Sequence, residues 1–121
     1  MAFDNDLMYR KASVGDLLTG TVSTAFLTHG EHTIPMDLRV VVPGNLGTNP
    51  TLDISVHESD NGSTVKEFHT MPQITVAGEY YFPIKFKRLT SKVITIVGGT
   101  ATPNFGAVTI GLVPSGRHTD N

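Results

Sequence analysis

The amino-acid sequence predicts an all-β protein, because its composition and its hydrophobic pattern both favour strands. Its 121 residues include 16 Thr, 12 Val and 7 Ile but only 6 Ala, and β-branched residues are enriched in strands. The 12 Gly and 7 Pro residues interrupt them, as turns interrupt the short strands of sandwiches and barrels. Several segments also alternate apolar with polar residues, which is the period of a strand with one buried face.

Three segments show this alternation most clearly, and we predict a strand in each. They run from Ile34 to Val42, from Leu52 to His57 and from Glu79 to Lys87. Further strands are predicted where the alternation is blurred or both faces are apolar. These are residues 20–28, 64–70, 73–76, 92–97 and 106–113.

Clusters of Gly, Pro, Asn and Asp between these segments predict turns. They lie at residues 29–32, 43–50, 59–63, 77–78 and 98–100. Seven or eight short strands in one small chain predict a two-sheet β-sandwich, with a jelly roll of about eight strands as the leading topology. An immunoglobulin-like sandwich is the alternative, although the chain has neither Cys nor Trp.

The size of the chain predicts one domain. A protein of 13.0 kDa buries roughly two-thirds of its extended-chain surface on folding, which is enough for one core. We expect residues 1–19 to form an N-terminal arm, a short helix or a first strand, and residues 20–114 to form the sandwich. The polar residues 115–121 follow a proline, and we expect them to be a flexible tail.

Composition and charge exclude several classes of protein. A hydrophobic fraction of 39% with 17% charged residues is too apolar for a disordered chain, and the apolar runs are too short for a membrane span. The N-terminal residues lack the pattern of a secretory signal, so we expect assembly in the cytoplasm. A net charge of -2 gives no general attraction for nucleic acid.

The histidines and carboxylates predict no catalytic, cofactor-binding or metal-binding residue. His29 and His32 form the only closely spaced histidine pair, and a metal site would need a third ligand from elsewhere, such as His57, Glu58 or His69. A solvated turn explains the pair better, and the acidic residues are scattered along the chain. We therefore expect a protein without enzymatic activity.

A concentration of basic residues has two interpretations. Lys85, Lys87 and Arg88 lie together at the end of a predicted strand and the turn after it. They either protect an edge strand from aggregation or form a cationic docking patch for an acidic protein surface. Tyr81 is predicted to point outward from the same strand, and exposed tyrosines are favoured as interface anchors.

The order of segments, rather than any single motif, resembles a known family. The stretches that carry the resemblance are FDNDLMY at residues 3–9, VAGEYYFPI at 76–84, VITIVG at 93–98 and GAVTIGLV at 106–113. In this order and spacing the chain resembles the capsid cement proteins of tailed bacteriophages, of the Bordetella-phage type, over nearly its whole length. Arg10, Lys11 and the polar C-terminal tail depart from the pattern of that family.

The resemblance implies a jelly roll on the outer surface of the virion capsid. Such a protein bridges neighbouring subunits of the major capsid protein. The resemblance also implies self-association as a homodimer or homotrimer, with neither nucleic acid nor membrane as a partner. Leu7, Met8 and Tyr9 are then candidates for an arm that orders on binding, and a free sheet edge for strand addition. The alternative is a carbohydrate- or receptor-binding module of a phage tail or virion.

Overall fold

Strands account for most of the chain that the structure, a computed structural model, describes. The described residues are 8–11, 18–29, 36–44 and 46–114. Within them the strands are β1 (Met8–Arg10), β2 (Thr21–Ser23), β3 (Leu27–Thr28), β4 (Met36–Val42), β5 (Leu46–Ser59), β6 (Val65–Thr70), β7 (Gly78–Ile84), β8 (Thr90–Asn104) and β9 (Thr109–Pro114).

The strands form two antiparallel sheets that pack face to face as a sandwich. One sheet has the order β1-β9-β4-β7 and the other β2-β8-β5-β6, with β3 also paired to β8. We take β2 and β3 as one interrupted strand. The pairs are then β1 with β9, β2 and β3 with β8, β4 with β7 and β5 with β6, so each pair is enclosed by the one before it. This nested pairing is that of a jelly roll. It confirms the predicted fold class. None of the described residues forms a helix long and apolar enough to cross a membrane.

Alternate residues of the central strands fill the core, as the sequence pattern predicts. Leu38, Val40 and Ile110 come from the first sheet, and Leu52 and Ile54 from the second, and all are almost completely buried. Burying such side chains contributes about 1.5–3 kcal/mol each. The aromatic members of this core are Phe86 and Phe105, and Tyr9, Tyr80 and Phe82 pack against it.

One predicted turn is wrong and another is correct only in its first residues, because β5 and β8 are much longer than the sequence suggests. The predicted turn at residues 43–50 overlaps the start of β5, and that at 98–100 lies inside β8. The two strands remain paired through this region, with register shifts between Leu46 and Thr51. The bulges take up the residues with turn-like conformations, including Gly99 at φ 120°. Pro and Gly therefore mark bulges here instead of chain reversals.

The weaker strand predictions are correct in part. Residues 20–28 contain two short strands instead of one, and in the predicted segment 73–76 only Ile74 forms a bridge, to Leu52. The predicted turn at residues 59–63 is confirmed. Asn61 Oδ1 accepts hydrogen bonds from the backbone N–H groups of Ser63 and Thr64, both at 2.9 Å.

The N-terminal part of the described chain contributes to the sandwich. β1 pairs with β9, and Leu18 is fully buried, with its N–H bonded to the carbonyl of Gly106 at 2.9 Å. Residues before position 20 therefore form part of the same core. The predicted flexible tail at 115–121 lies outside the described residues.

Candidate functional site

A buried carboxylate lies between the two sheets at the end of β5. Glu58 is completely inaccessible to solvent. Its Oε1 accepts hydrogen bonds from the backbone N–H groups of Lys87 at 2.8 Å and Arg88 at 3.0 Å, while its Oε2 forms a short hydrogen bond with Nε2 of His69. A buried charge requires such partners, because desolvation without them costs several kcal/mol. The carboxylate therefore fastens the β7–β8 connection to the core.

Ser91 stands opposite Glu58 on β8 and is the centre of a second set of contacts. Its hydroxyl forms hydrogen bonds with the hydroxyl of Tyr9 and, at 2.8 Å, with Nε2 of His29. The His29 ring also packs on Phe86, with centroids 4.0 Å apart. Burial raises the pKa of Tyr9 above its ordinary value, and the hydrogen bond to Ser91 opposes this shift only in part. Together with Glu58 these groups form a polar cluster inside the sandwich.

The geometry of this cluster fits a structural role. A serine hydroxyl within hydrogen-bond reach of an imidazole is the arrangement of a nucleophile and its base. Ser91 is completely buried, however, so a substrate would have to enter the core to reach it. The contacts instead connect β1, β3, β5 and β8, because Tyr9, His29, Glu58 and Ser91 lie on or beside those strands.

One group of side chains has donor atoms close enough for a metal ion. Among the described residues, one ligand atom each of Glu58, Glu67 and His69 lies within 4.8 Å of the others. Carboxylate and imidazole are ligands of zinc and of several other divalent metals. Glu67 already has a cationic neighbour, however, since Lys87 Nζ lies 3.7 Å from its Oε2.

The described histidines named from the sequence make separate contacts. His29 contacts Ser91 inside the sandwich, whereas His57 lies on the outer face of β5, with its Nε2 2.8 Å from Ser55 Oγ. His32 lies outside the described residues.

The predicted cationic patch lies in the connection that follows β7. Arg88 forms an ion pair with Asp60 at 2.8 Å, Lys87 lies near Glu67, and Lys85 is exposed. β7 is an edge strand of its sheet, but it ends at Ile84 and not at Lys87 as predicted, so the basic residues follow the edge strand and do not lie on it. Its edge is also interrupted by Pro83, which has no N–H to donate. The role of the patch in docking stays a prediction.

Tyr81 lies on the outer face of the four-stranded sheet, as predicted, but it has partners there. Its hydroxyl donates a hydrogen bond to Glu79, and Arg39 bonds the same carboxylate at 2.9 Å. The Arg39 guanidinium also lies 6.0 Å from the centre of the Tyr81 ring. The hydrogen bonds from Tyr81 and Arg39 lower the pKa of Glu79. These contacts fix Tyr81 in one orientation, which reduces the entropy cost of any contact it makes.

The N-terminal residues named from the sequence have different positions. Leu7 lies outside the described residues. Met8 pairs with Gly111 in β1, and Tyr9 is part of the buried polar cluster. The structure thus gives Tyr9 a role in the fold that the sequence did not predict.

An aromatic surface on the five-stranded sheet was missed by the sequence analysis. Phe68 on β6 is 63% exposed, and its ring stacks with that of His57 at 5.6 Å between centroids. Across the same face, Lys92 Nζ lies 5.2 Å from the centre of the Phe26 ring. Burial and, to a lesser extent, Lys92 lower the pKa of His57. Only the position of Phe68 opposite His57 reveals this surface, and register between strands cannot be read from one segment.

The fold and these surfaces define a jelly-roll β-sandwich whose apolar core contains a small polar cluster and whose outer surfaces are partly apolar. Comparison with protein-family models gives no match, and no curated protein matches the sequence.

Proposed function

We propose that this protein is a cement protein of a tailed-phage capsid. It binds the outer surface of the head, bridges neighbouring subunits of the major capsid protein and acts by adhesion, without catalysis. It is made and assembled in the cytoplasm of the bacterial host, and it works as a homodimer or homotrimer.

The nested strand pairing is the observation that carries this proposal. The order of the sequence segments resembles that of phage cement proteins, and this resemblance implies a jelly roll. The pairing of β1 with β9, of β2 with β8, of β4 with β7 and of β5 with β6 agrees with that implication. A fold alone does not define a function, so the proposal rests on the fold and the resemblance together.

The edge strand β6 offers a surface for such adhesion. It is the outermost strand of the five-stranded sheet, contains no Pro and exposes Val65 and Phe68. An edge strand presents unpaired backbone N–H and C=O groups that can add to a strand of another protein. The exposed aromatic ring adds apolar area beside that edge.

Bridging several subunits at once explains how modest contacts would hold a shell together. Interfaces of about 1,600 Å² range from micromolar to picomolar affinity. When an oligomer binds two or three subunits, each further contact is intramolecular and the combined affinity rises by orders of magnitude. Opening the seam between two capsid subunits then requires that the cement contacts break as well.

Electron cryomicroscopy of assembled heads with and without the protein tests the proposal. We expect additional density on the outer surface and co-sedimentation of the protein with heads. Phe68→Glu should weaken co-sedimentation, whereas Thr21→Glu, an exposed position at the opposite edge of the sheet, should not. Heads that show no added density at saturating protein would refute the proposal.

A second function is favoured by one observation. The exposed Phe68 ring, stacked on His57, is a flat surface of the kind on which sugar rings stack, and a carbohydrate- or receptor-binding module of a phage tail would use it. A glycan array distinguishes the two functions. A carbohydrate-binding module should give a signal that Phe68→Glu removes, whereas a cement protein should give no signal.

A further inference from the structure

One end of the five-stranded sheet consists of uncharged residues. Four ranges contain no Asp, Glu, Lys, Arg or His, namely residues 18–20, 46–52, 71–78 and 97–108. Backbone hydrogen bonds join them, from Val97 N to Gly20 O and from Leu52 N to Ile74 O, both at 2.8 Å. We call this continuous region the neutral end.

The centre of the neutral end is a ribbon formed by the first residues of β5 and the last residues of β8. Thr48 and Thr100 are opposite each other in this ribbon, and both are exposed. A cleft lies on each side. One, of about 530 Å³, is lined by Val97, Pro103 and neighbouring residues, and the other, of about 270 Å³, lies beside Pro50 and Thr75. The ribbon therefore stands between two clefts that are both lined by uncharged residues.

The ribbon also holds strained backbone. Asn49, Ala101 and Thr102 have φ values of 49°, 61° and 52°, in the left-handed region that a β-branched residue such as Thr rarely adopts. Ala101 and Thr102 are exposed, so their conformation is not imposed by burial in the core. Strain of this kind is found where a defined surface shape serves a function.

We infer that a second copy of this chain docks on the neutral end. In a symmetric contact each surface meets its own copy, so a charged side chain near the axis faces an identical charge. At the border of the neutral end, the carboxylate of Asp53 accepts a hydrogen bond from Gln73 at 3.0 Å, and within its four ranges no side chain is charged, so little such repulsion arises. A foreign protein is usually selected and oriented by complementary charges, and the described residues of the neutral end offer few. Depletion of charge is also the mark of the centre of protein interfaces.

This assignment goes beyond the proposed function, because it identifies the surface through which copies associate and not the one that meets the shell. Lys85, Lys87 and Arg88 lie on another connection, after β7, where the exposed Lys85 and Lys87 can meet a heterologous partner.

Sedimentation velocity of the full-length protein over a series of concentrations tests the inference. We expect the wild type to form a discrete oligomer and Thr100→Lys to dissociate at least about tenfold more readily, because like charges then meet across the contact. Thr64→Lys is the matched control, since Thr64 is equally exposed but lies in the β5–β6 connection, and it should associate as the wild type does. Circular dichroism and thermal unfolding show whether each variant is folded.

A mixture of charge variants adds a readout that a folding defect would not produce. Thr100→Lys and Thr100→Glu should each associate weakly alone and recover association when mixed, because opposite charges then meet. A wild type that stays monomeric at every concentration would overturn the inference, as would a Thr64→Lys variant that dissociates while Thr100→Lys does not. A monomer that binds heads refutes this inference and the oligomeric state in the proposed function but leaves capsid binding intact, whereas an oligomer that ignores heads refutes capsid binding and leaves this inference intact.

Discussion

The buried carboxylate of Glu58 accepts the backbone N–H of Arg88 at 3.0 Å, across a separation of 30 residues in the sequence. This bond and its neighbour from Lys87 hold the β7–β8 connection against the end of β5. The basic side chains of that connection therefore project from a backbone that is anchored in the core. Their arrangement depends on one residue that no solvent reaches.

Replacing Glu58 should destabilise the fold and loosen this connection. In Glu58→Gln the amide oxygen can still accept from the two backbone N–H groups, but the NH₂ then meets His69 Nε2, so the hydrogen bond that the imidazole donates to the carboxylate is lost unless the ring changes its tautomer. We expect a loss of about 1–3 kcal/mol, measured by urea unfolding with an unchanged m-value. Glu79→Gln, which removes a surface ion pair, should cost less than about 1 kcal/mol. Equal losses in the two variants would show that burial of Glu58 has no special importance.

Tyr9 should make the protein sensitive to alkali. Its pKa is raised from 10.0 by burial, so above about pH 10 the unfolded chain releases a proton that the folded chain retains. Stability is then complete below pH 10 and falls as the pH rises above it. Tyr9→Phe should flatten this decline, at a cost near neutral pH of about 1 kcal/mol for the bond to Ser91. Chemical unfolding between pH 8 and pH 11 provides the measurement.

Tyr81→Phe is the control for the alkaline decline. The pKa of Tyr81 is also raised, by desolvation and by its bond to Glu79, but its ring lies on an outer sheet face where solvent screens the effect. This variant should keep most of the decline. The explanation fails if Tyr81→Phe removes the decline and Tyr9→Phe does not.

The sequence was sufficient for the fold class and for the faces of the central strands, because a period of two residues determines both. The inward positions of Leu38, Val40, Leu52 and Ile54 are examples. It was insufficient for the ribbon, since the same Gly and Pro residues form either a turn or a bulge, and only the partner strand decides between them.

The polar cluster could be predicted even less than the ribbon, because its members are distant from one another in the sequence. Glu58 follows the polar residue His57 in the sequence, and its burial is possible only because donors arrive from residues 69, 87 and 88. Ser91 likewise acquires its partners from β1 and from the end of β3. A single segment carries no information about such partners, so Glu58 was named only as a possible metal ligand and Ser91 was not named. The outward position of Tyr81, which depends on alternation alone, was predicted.

Lys92 should influence the titration of His57 across the sheet. Burial lowers the pKa of His57 from 6.5, and the positive charge of Lys92 lowers it further. Lys92→Gln removes the second cause, so the pKa should rise but remain below 6.5. Because the pKa of His57 is lowered in the folded protein, stability falls as the pH drops below 6.5. Lys92→Gln should lose less stability than the wild type over this pH range. NMR titration of the imidazole measures the pKa directly, with Lys66→Gln on β6 as a control that should leave it unchanged.

Gly47 should tolerate no side chain, because the ribbon leaves no room for one. A Cβ there would lie 2.7 Å from the Cα of Pro103 and 2.9 Å from the carbonyl oxygen of Thr100, at φ 106°. Gly62 has φ 73° and open space around it, so Gly62→Ala should lose only about 1–2 kcal/mol for the left-handed conformation. Gly47→Ala should lose about 1–3 kcal/mol more. Thermal unfolding of the two variants compares them, and equal melting temperatures would contradict the close approach.

Deletions at the N-terminus should separate folding from shell binding. Removing residues 1–12 takes away β1 and the Tyr9 side chain that packs against the core, so we expect a marked loss of stability, of about 3–5 kcal/mol as for other large buried aromatic groups. Removing only residues 1–7 keeps β1 and the contacts of Tyr9, and should therefore cost less stability than the longer deletion. If Leu7 and its neighbours form an arm that binds the capsid, the shorter deletion should still abolish co-sedimentation with heads. Full binding by that variant would exclude the arm and leave β6 and the basic connection as the surfaces that meet the shell.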